Sequence, residues 1–218
     1  MSNLSLHVPQ PFFTVVIATY NRADLIKRAL NSLIAQTETD WEAIIVDDGS
    51  TDNTDKLIFP YIRDYPKIQY VRKEHSGTVQ TKNRGVYLSN GLFVTFLDSD
   101  DEYKPNHLKS RKQILQENPT VQFLYGGIEV LGNQYVPDRF DQSKNIHLSK
   151  CAIGGTFFVK RGTLISLNGF NEVPIGEDAV LFERAKRDKI EMMETNLPSY
   201  IYHRELQNSI THRIQRRA

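Results

Sequence analysis

Residues 93–105 read FVTFLDSDDEYKP, an apolar run that ends in three carboxylates within four positions. Asp98, Asp100 and Asp101 are close enough in sequence to repel one another. Two unit charges ~5 Å apart at an effective dielectric of ~20 repel by roughly 3 kcal/mol. A cation held between the carboxylates would relieve that repulsion, and so would a fully solvated loop. Which of the two applies depends on what the rest of the chain brings to this motif.

The apolar part of this stretch is the fourth of four predicted strands that alternate with helices. The strands are expected at residues 12–18, 41–46, 67–72 and 92–97, and the helices at 23–35, 52–65 and 78–90. Asn21 is the expected N-cap of the first helix, Pro60 should kink or stop the second, and Gly91 should end the third. Because strand and helix alternate, the pattern predicts right-handed crossovers and a parallel sheet in an α/β protein.

The second half of the chain has a mixed pattern. Helices are expected at residues 105–118, 161–167 and 178–187, and strand-like pieces at 121–130, 134–136 and 156–160. We find no linker, internal repeat or low-complexity segment. The sequence therefore predicts a single domain over residues 11–211, between an N-terminal tail (1–10) and a basic C-terminal tail (212–218).

Composition excludes several classes of protein. With 218 residues, 39% hydrophobic and 24% charged, the chain resembles an ordinary soluble domain, and its net charge of +1 gives no reason to expect a nucleic-acid partner. One cysteine permits no internal disulfide, and neither a signal peptide nor a transmembrane run is present, so the cytoplasm is the expected location. The basic tail leaves open a peripheral contact with an anionic membrane surface.

Polar motifs follow three of the four predicted parallel strands. TYNR comes after the first strand, DDGS after the second and DSDD after the fourth. Ligands of open α/β sheets bind outside the carboxyl ends of the strands, where these motifs should meet. We therefore expect the DSDD carboxylates to be gathered around a ligand.

Several known ligand-binding motifs are not matched by the sequence, and this restricts the kinds of ligand to be expected. An EF-hand loop needs Gly at its sixth position and Glu at its twelfth; a loop starting at Asp48 offers Asn53 and Phe59, and one starting at Asp98 also fails. Dispersed histidines and one cysteine disfavour zinc, and neither a Walker A loop nor a G-x-G-x-x-G motif occurs. Carboxylates without a full protein cage suit Mg²⁺ or Mn²⁺ shared with substrate phosphates.

Six motifs in order give the chain a family resemblance. They are VVIATYNRADLIKRALNSLIAQT, WEAIIVDDGSTDNT, GLFVTFLDSDDEYKP, GGTFFVKR, GFNEVPIGEDAVLFERA and YHRELQNSIT. Together they resemble a family 2 glycosyltransferase of GT-A fold. The resemblance implies a Rossmann-like nucleotide-binding half with a parallel sheet, a mixed acceptor-side half, a nucleotide-sugar donor and inversion at the transferred sugar.

The resemblance assigns the donor site to the three strand-end motifs. The nucleotide base and ribose would be lined by Thr19, Tyr20, Asn21 and Arg22. Asp48 would accept the imide N–H of uracil, which makes UDP the expected nucleotide. In the Asp-x-Asp motif, Asp98 and Ser99 would face the donor, with Asp98 and Asp100 at the Mn²⁺ or Mg²⁺ ion, while Asp101 either shares the metal or caps the following helix.

Later motifs imply further contacts to the donor. Lys82 stands where the family often has Arg, which keeps the charge but loses bidentate phosphate geometry. Gly154 and Gly155 match a glycine pair beside the sugar, where backbone approaches the ligand; a plain turn is the alternative. His203 matches a metal-site position and Arg204 a cation near the diphosphate.

The catalytic base is assigned by the resemblance to the pair Glu177 and Asp178, with Asp178 preferred. The alternative for Asp178 is a helix N-cap. No Gln-x-x-Arg-Trp motif of processive synthases occurs, which favours one sugar per acceptor, a saccharide or lipid-linked saccharide. A sugar nucleotidyltransferase would need a Gly-rich loop in place of TYNR, and a catalytically silent carbohydrate-binding module would not need the four acids Asp48, Asp98, Asp100 and Asp178.

Overall fold

The structure, a computed structural model, describes residues 10–205. The strands are β1 (Phe13–Thr19), β2 (Trp41–Asp47), β3 (Ile68–Arg72), β4 (Phe93–Phe96), β5 (Glu102–Tyr103), β6 (Phe123–Tyr125), β7 (Ile128–Gly132), β8 (Tyr135–Pro137), β9 (Asn145–His147), β10 (Phe158–Lys160), β11 (Met192–Glu194) and β12 (Tyr200–Arg204). The helices are α1 (Ile26–Ile34), α2 (Thr54–Asp64), α3 (Thr78–Leu88), α4 (His107–Glu117), α5 (Arg161–Ser166) and α6 (Glu177–Arg187). Apart from Gln10, both predicted tails lie outside the described residues, as does the end of the predicted domain.

A seven-stranded sheet runs through the centre in the order β11-β6-β10-β4-β1-β2-β3. The pairs β1–β2, β1–β4 and β2–β3 are parallel, which confirms the α/β prediction for the first half. In the second half, β10 is antiparallel to both β4 and β6. The sheet is therefore parallel where the strands and helices alternate in sequence, and mixed beyond residue 97.

The central strands are continuous apolar runs because helices cover both faces of the sheet. Val15 and Ile17 pack into a cluster with α1 and α4, while Val16 packs into a second cluster with α3, α5 and α6. Alternate residues of β1 thus enter opposite cores. This double coverage fixes the carboxyl ends of β1, β2 and β4 at one edge.

Three local expectations need correction. Asn21 is not a helix N-cap: α1 begins five residues later with Leu25 at its N-cap, and Asn21 has a left-handed backbone with φ of 51°. Pro60 does not stop α2, which continues to Asp64; the kink expected as the alternative stays a prediction. Gly91 does not adopt a left-handed stop; a Cβ there would lie 2.4 Å from the backbone nitrogen of Thr14, so its role is close packing on β1.

Four short strands in the second half were not predicted: β5, β9, β11 and β12. Strands β5, β12 and β7 form a separate three-stranded sheet, and β8 pairs with β9. Each of the four spans five residues or fewer, and the partners of β5 and β12 are far away in the chain. Such short segments carry too few residues for a recognisable alternation.

Candidate active site

One large cleft, about 960 Å³ in volume, opens at the carboxyl ends of the parallel strands. Its floor and one wall come from the loops after β1, β2, β3 and β4 and from the start of α3. The opposite wall comes from the β8–β9 hairpin, the segment before β10 and the start of α6. Of the predicted site residues, the lining includes Thr19, Tyr20, Arg22, Asp48, Lys82, Asp98, Ser99, Asp100, Glu177 and Asp178.

The loops after β1 and β2 are locked together by hydrogen bonds. The backbone N–H of Asn21 donates to Ser50 Oγ (2.9 Å), and Asn21 Oδ1 accepts from the backbone of Thr51 (2.8 Å). Asn21 is not part of the cleft lining that the described residues form. Its left-handed turn instead orients its neighbours Tyr20 and Arg22, which do face the cleft.

Asp48 is held at the cleft wall by three donors to its carboxylate and by a contact with His75. Its Oδ1 accepts from the backbone N–H of Ser76 (2.9 Å) and from Lys73 Nζ, and its Oδ2 from the backbone N–H of Gly77 (2.9 Å). His75 Nδ1 lies 2.8 Å from the same Oδ2. Burial alone would raise the pKa of Asp48, but the hydrogen bonds from Lys73, Ser76 and Gly77 outweigh it and lower the pKa. Asp48 is therefore a fixed anionic acceptor.

Sequence reasoning missed the loop after β3, which supplies Lys73, His75 and Gly77. The His75 ring stacks on Tyr20 with 4.2 Å between centroids and 23° between planes, and both rings line the cleft. The position of this loop after a predicted strand could have indicated its role. The rule that ligands bind beyond the carboxyl ends of parallel strands applies to the third strand as much as to the other three.

Asp98, Ser99 and Asp100 follow β4 directly into the cleft. The nearest guanidinium nitrogen of Arg22 lies 3.9 Å from Asp100 Oδ2, and Arg28 donates to the Asp100 carbonyl. Burial and the charges of Asp100, Asp178 and Glu177 outweigh the attraction of Lys82 and raise the pKa of Asp98 to about 6. Several carboxylates thus converge on one small volume, as the sequence predicted.

The donor atoms present suit a hard divalent cation. Within residues 10–205, no group of three His, Cys, Asp or Glu side chains could hold a metal by itself. Asp98 and Asp100 offer two carboxylates at one cleft wall, and Mg²⁺ and Mn²⁺ sites of this kind are completed by water and substrate phosphate oxygens. The residues therefore fit a metal that binds together with a diphosphate.

Asp101 takes neither of the roles considered for it. Its Oδ2 accepts from Tyr200 Oη at 2.6 Å and its Oδ1 from the backbone N–H of His203 at 2.9 Å. The side chain is buried, and it joins the DSDD loop to β12. Asp101 is therefore a structural residue in this arrangement, and it caps no helix: Asn106 is the N-cap of α4.

Lys82 lies between the two candidate bases. Its Nζ is 3.1 Å from Glu177 Oε1 and 3.1 Å from Asp178 Oδ1, and its side chain is only 5% exposed. Burial disfavours the charged amine, but Asp178, Glu177 and Asp98 raise its pKa well above the usual value. Lys82 is thus a permanent cation beneath the acids, and its ion pairs tie α3 to α6.

The two acids of α6 have opposite pKa shifts. Lys82 lowers the pKa of Glu177. Burial and the neighbouring Glu177 charge raise the pKa of Asp178, and they outweigh Lys82 and a hydrogen bond from the backbone of Gly154 (2.9 Å). Asp178 is also not an N-cap, because Gly176 occupies that position and no side-chain cap bond is made. Relative to its ordinary pKa, each acid is thus shifted by its surroundings, Asp178 toward the protonated form and Glu177 toward the ionised form.

The glycine pair before β10 has a steric role. A Cβ on Gly154 would lie 2.3 Å from Asp178 Oδ1, and a Cβ on Gly155 would lie 2.2 Å from the Tyr200 ring. Neither glycine lines the cleft formed by the described residues. The close approach predicted for this pair therefore occurs, but toward Asp178 and Tyr200.

His203 and Arg204 do not face the cleft lined by the described residues. The ring nitrogens of His203 lie 2.9 Å from Glu102 Oε1 and 2.8 Å from Glu205 Oε1, so neither is offered to a metal. Arg204 is buried and donates to the carbonyl of Tyr135 at 3.1 Å. Both side chains are therefore held by contacts outside this cleft, although their neighbour Tyr202 on β12 lines it.

The far wall of the cleft was not predicted. It includes Asp138, Arg139 and Phe140 of the β8–β9 hairpin, with Phe140 83% exposed, and apolar residues such as Ile153 and Ile175. No motif marks these residues in the sequence, because hairpin and loop positions show no periodicity.

In residues 10–205 we find no helix with the length and apolar character needed to cross a bilayer.

The sequence of this chain is similar to those of known proteins. Residues 14–169 match the model of the family described as Glycosyl transferase family 2. A relative is the UDP-Glc:alpha-D-GlcNAc-diphosphoundecaprenol beta-1,3-glucosyltransferase WfgD of Escherichia coli, 27% identical over 158 residues that cover 70% of this chain and 61% of WfgD. The chain spans about three fifths or less of the length of the curated relatives that it matches, WfgD among them.

Two solved structures share the fold. TarS of S. aureus in complex with UDP superposes with a TM-score of 0.75 at 22% identity, over 88% of this chain and 60% of the TarS chain. The mannosyltransferase PcManGT of Pyrobaculum calidifontis, in complex with GDP-Man and Mn²⁺, gives 0.73 at 20% identity, over 95% of this chain and 61% of its own.

Proposed function

Because this chain belongs to glycosyltransferase family 2, we propose that it moves a single sugar from a UDP-sugar to a hydroxyl group of a saccharide or lipid-linked saccharide, with inversion. The observation that carries the proposal is the convergence of Asp48, Asp98, Asp100 and Asp178 in one cleft. The name of WfgD, whose acceptor is a diphosphoundecaprenol-linked sugar, supports the lipid-linked acceptor.

Asp48 would select the nucleobase. It is ionised and faces the cleft, so it can accept the N3–H of uracil. Cytosine presents an unprotonated N3 acceptor at that position, which would leave two acceptors facing each other in a buried site. Uracil would therefore bind to this wall in preference to cytosine, with Tyr20 beside it as a stacking surface.

The diphosphate would lie between the base wall and α6. Asp98 and Asp100 are the residues that would hold the metal, which would neutralise charge on the diphosphate as it departs. UDP bound to TarS and Mn²⁺ bound to PcManGT support this choice of ligands. Arg22, 3.9 Å from Asp100, gives further positive charge to the same part of the cleft.

Transfer would proceed by a single displacement with Asp178 as general base. The acceptor oxygen forms a bond to the anomeric carbon, while the bond from that carbon to the diphosphate breaks and its electron pair leaves with UDP. The acceptor hydroxyl has a pKa far above 7, so its proton must pass to a positioned base as the new bond forms. Asp178 suits this step because burial and the Glu177 charge raise its pKa, so its surroundings favour uptake of a proton, whereas Lys82 lowers the pKa of Glu177.

Lys82 would keep the base in position. In the resting state it pairs with both acids. When Asp178 takes the proton, Glu177 still balances the buried ammonium group, so no uncompensated charge develops. Lys82 would act in this way through Asp178, in addition to any direct contact with the diphosphate.

Release of UDP from a panel of UDP-sugars with MnCl₂ tests the proposal. Incubation with UDP-Glc, UDP-GlcNAc and UDP-Gal, with and without simple saccharide acceptors, should release UDP from at least one donor. Asp178→Asn should lower the rate of that release ~10²–10⁴-fold. Glu183→Gln is a matched control, because Glu183 lies on the same helix and lines the outer cleft without a contact to Lys82. Absence of UDP release from every donor and acceptor combination, with UDP also failing to bind, would refute the proposal.

A further inference from the structure

The contacts expected of a bound uracil are already made by a side chain of the protein. Uracil should stack on Tyr20 and donate a ring N–H to the Asp48 carboxylate. The His75 imidazole occupies both places: its ring is stacked on Tyr20 at 4.2 Å, and its Nδ1 lies 2.8 Å from Asp48 Oδ2. From this overlap we infer that His75 occupies the nucleobase subsite when no nucleotide is bound, and that uridine nucleotides bind by displacing it.

Hydrogen-bond capacity at Asp48 supports the displacement. A carboxylate offers about four lone-pair positions. Hydrogen bonds from Lys73, Ser76 N–H and Gly77 N–H use three of them. The His75 ring, with Nδ1 2.8 Å from Oδ2, lies against the oxygen that carries the fourth. A uracil N3–H can therefore reach that position only if the His75 ring leaves.

Of the four groups around the Asp48 carboxylate, His75 is the one free to leave. The Ser76 and Gly77 donors are backbone groups just before α3. Lys73 Nζ has two further acceptors, the carbonyl of Glu74 and Ser76 Oγ, and its side chain is 19% exposed. His75 is 56% exposed and is held by Asp48 and the Tyr20 stack. Rotation of its side chain into solvent would free both contacts at once.

The proton on the His75 ring has a defined position. Nδ1 lies 3.1 Å from the Asp48 backbone carbonyl as well as 2.8 Å from Oδ2, and both partners are acceptors. Nδ1 must therefore carry the proton, as the N3 atom of uracil does. The imidazole thus reproduces both the stacking surface and the donor of the base, which explains why the two compete for one place.

The inference rests on the proposed function, since it takes Asp48 as the uracil acceptor. Calorimetry distinguishes a failure of the inference from a failure of the proposed function. A His75 ring that leaves the nucleobase subsite open in only ~0.1–0.3 of the protein molecules weakens the apparent UDP affinity by the inverse of that fraction. His75→Ala should therefore bind UDP roughly three- to tenfold more tightly than wild type. His75→Phe keeps the stack without the N–H donor and should give a smaller gain. Glu74→Ala, an exposed neighbour in the same loop, should match wild type.

NMR of the histidine rings gives a second readout. The His75 ring signal, identified by its absence in His75→Ala, should shift away from its stacked position when UDP is added. Equal or weaker UDP binding by His75→Ala, or a His75 signal unchanged at saturating UDP, would overturn the inference while leaving the proposed function intact. Failure of UDP to bind to either protein would instead refute the base site itself, and with it both proposals.

Discussion

Replacing Gly154 by Ala should disable the catalytic base while leaving nucleotide binding intact. The new Cβ would lie 2.3–2.6 Å from the three carboxyl atoms of Asp178, whereas ordinary contacts begin at 3.4 Å. The carboxylate must therefore retreat by about 1 Å and lose its hydrogen bond from the Gly154 backbone. A misplacement of ~1 Å in a reacting group can reduce turnover by about 10²-fold.

The assay for this variant is UDP release at saturating UDP-sugar, with UDP affinity measured by calorimetry. We expect kcat to fall about 10²-fold and the Kd for UDP to stay within about twofold, because Asp48 and Asp100 are untouched. Gly162→Ala is the matched control, since a Cβ there meets nothing within 4 Å, and it should behave as wild type. Normal turnover in a folded Gly154→Ala protein would refute the role of Asp178.

Four further substitutions separate the roles of the buried charges. Lys82→Met leaves Glu177 and Asp178 without their buried cation and should cost about 3 kcal/mol of unfolding free energy, the low end for a broken buried pair because the acids are partly exposed; a melting temperature equal to wild type would contradict this. Asp178→Asn should lower kcat ~10²–10⁴-fold, and Glu177→Gln should lower it much less, with initial rates as the test; the reverse order would make Glu177 the base. Asp101→Asn should lower the melting temperature through its Tyr200 and His203 contacts, yet leave the dependence of UDP affinity on Mn²⁺ unchanged; loss of that dependence would return Asp101 to the metal site.

The first half of the fold could be predicted because each buried strand is a continuous apolar run followed by an amphipathic helix. β1 and β4 illustrate this: both faces are covered, so nearly every side chain is apolar, and the polar residues begin where the strand ends. Ligands of open α/β sheets bind beyond the carboxyl ends of the parallel strands, and this rule predicts that Asp48, Asp98 and Asp100 share one cleft. All three line the cleft in the structure.

The other features of the fold and of the site depend on tertiary contacts, which the spacing of residues in the sequence does not encode. Strand β12 pairs with β5 and β7, and its backbone binds Asp101, so His203 and Arg204 point away from the cleft although their motif resembles a donor-binding one. Gly154 resembles a sugar-contacting glycine, yet the group that approaches it is Asp178. The pairing of Lys82 with two acids ~95 residues away in the chain is likewise a tertiary contact, with no local signal.

The central claim is that the carboxylates after β2 and β4 form one metal-dependent site for a uridine diphosphate. Titration of UDP into the protein in MnCl₂, and again after excess EDTA, tests it most directly. We expect saturable binding with Mn²⁺, at least about tenfold weaker binding in EDTA, and no effect of EDTA on Asp100→Ala, since a metal that bridges protein and diphosphate adds affinity only when both are present. Equal UDP affinity in Mn²⁺ and in EDTA for the wild-type protein would contradict the account.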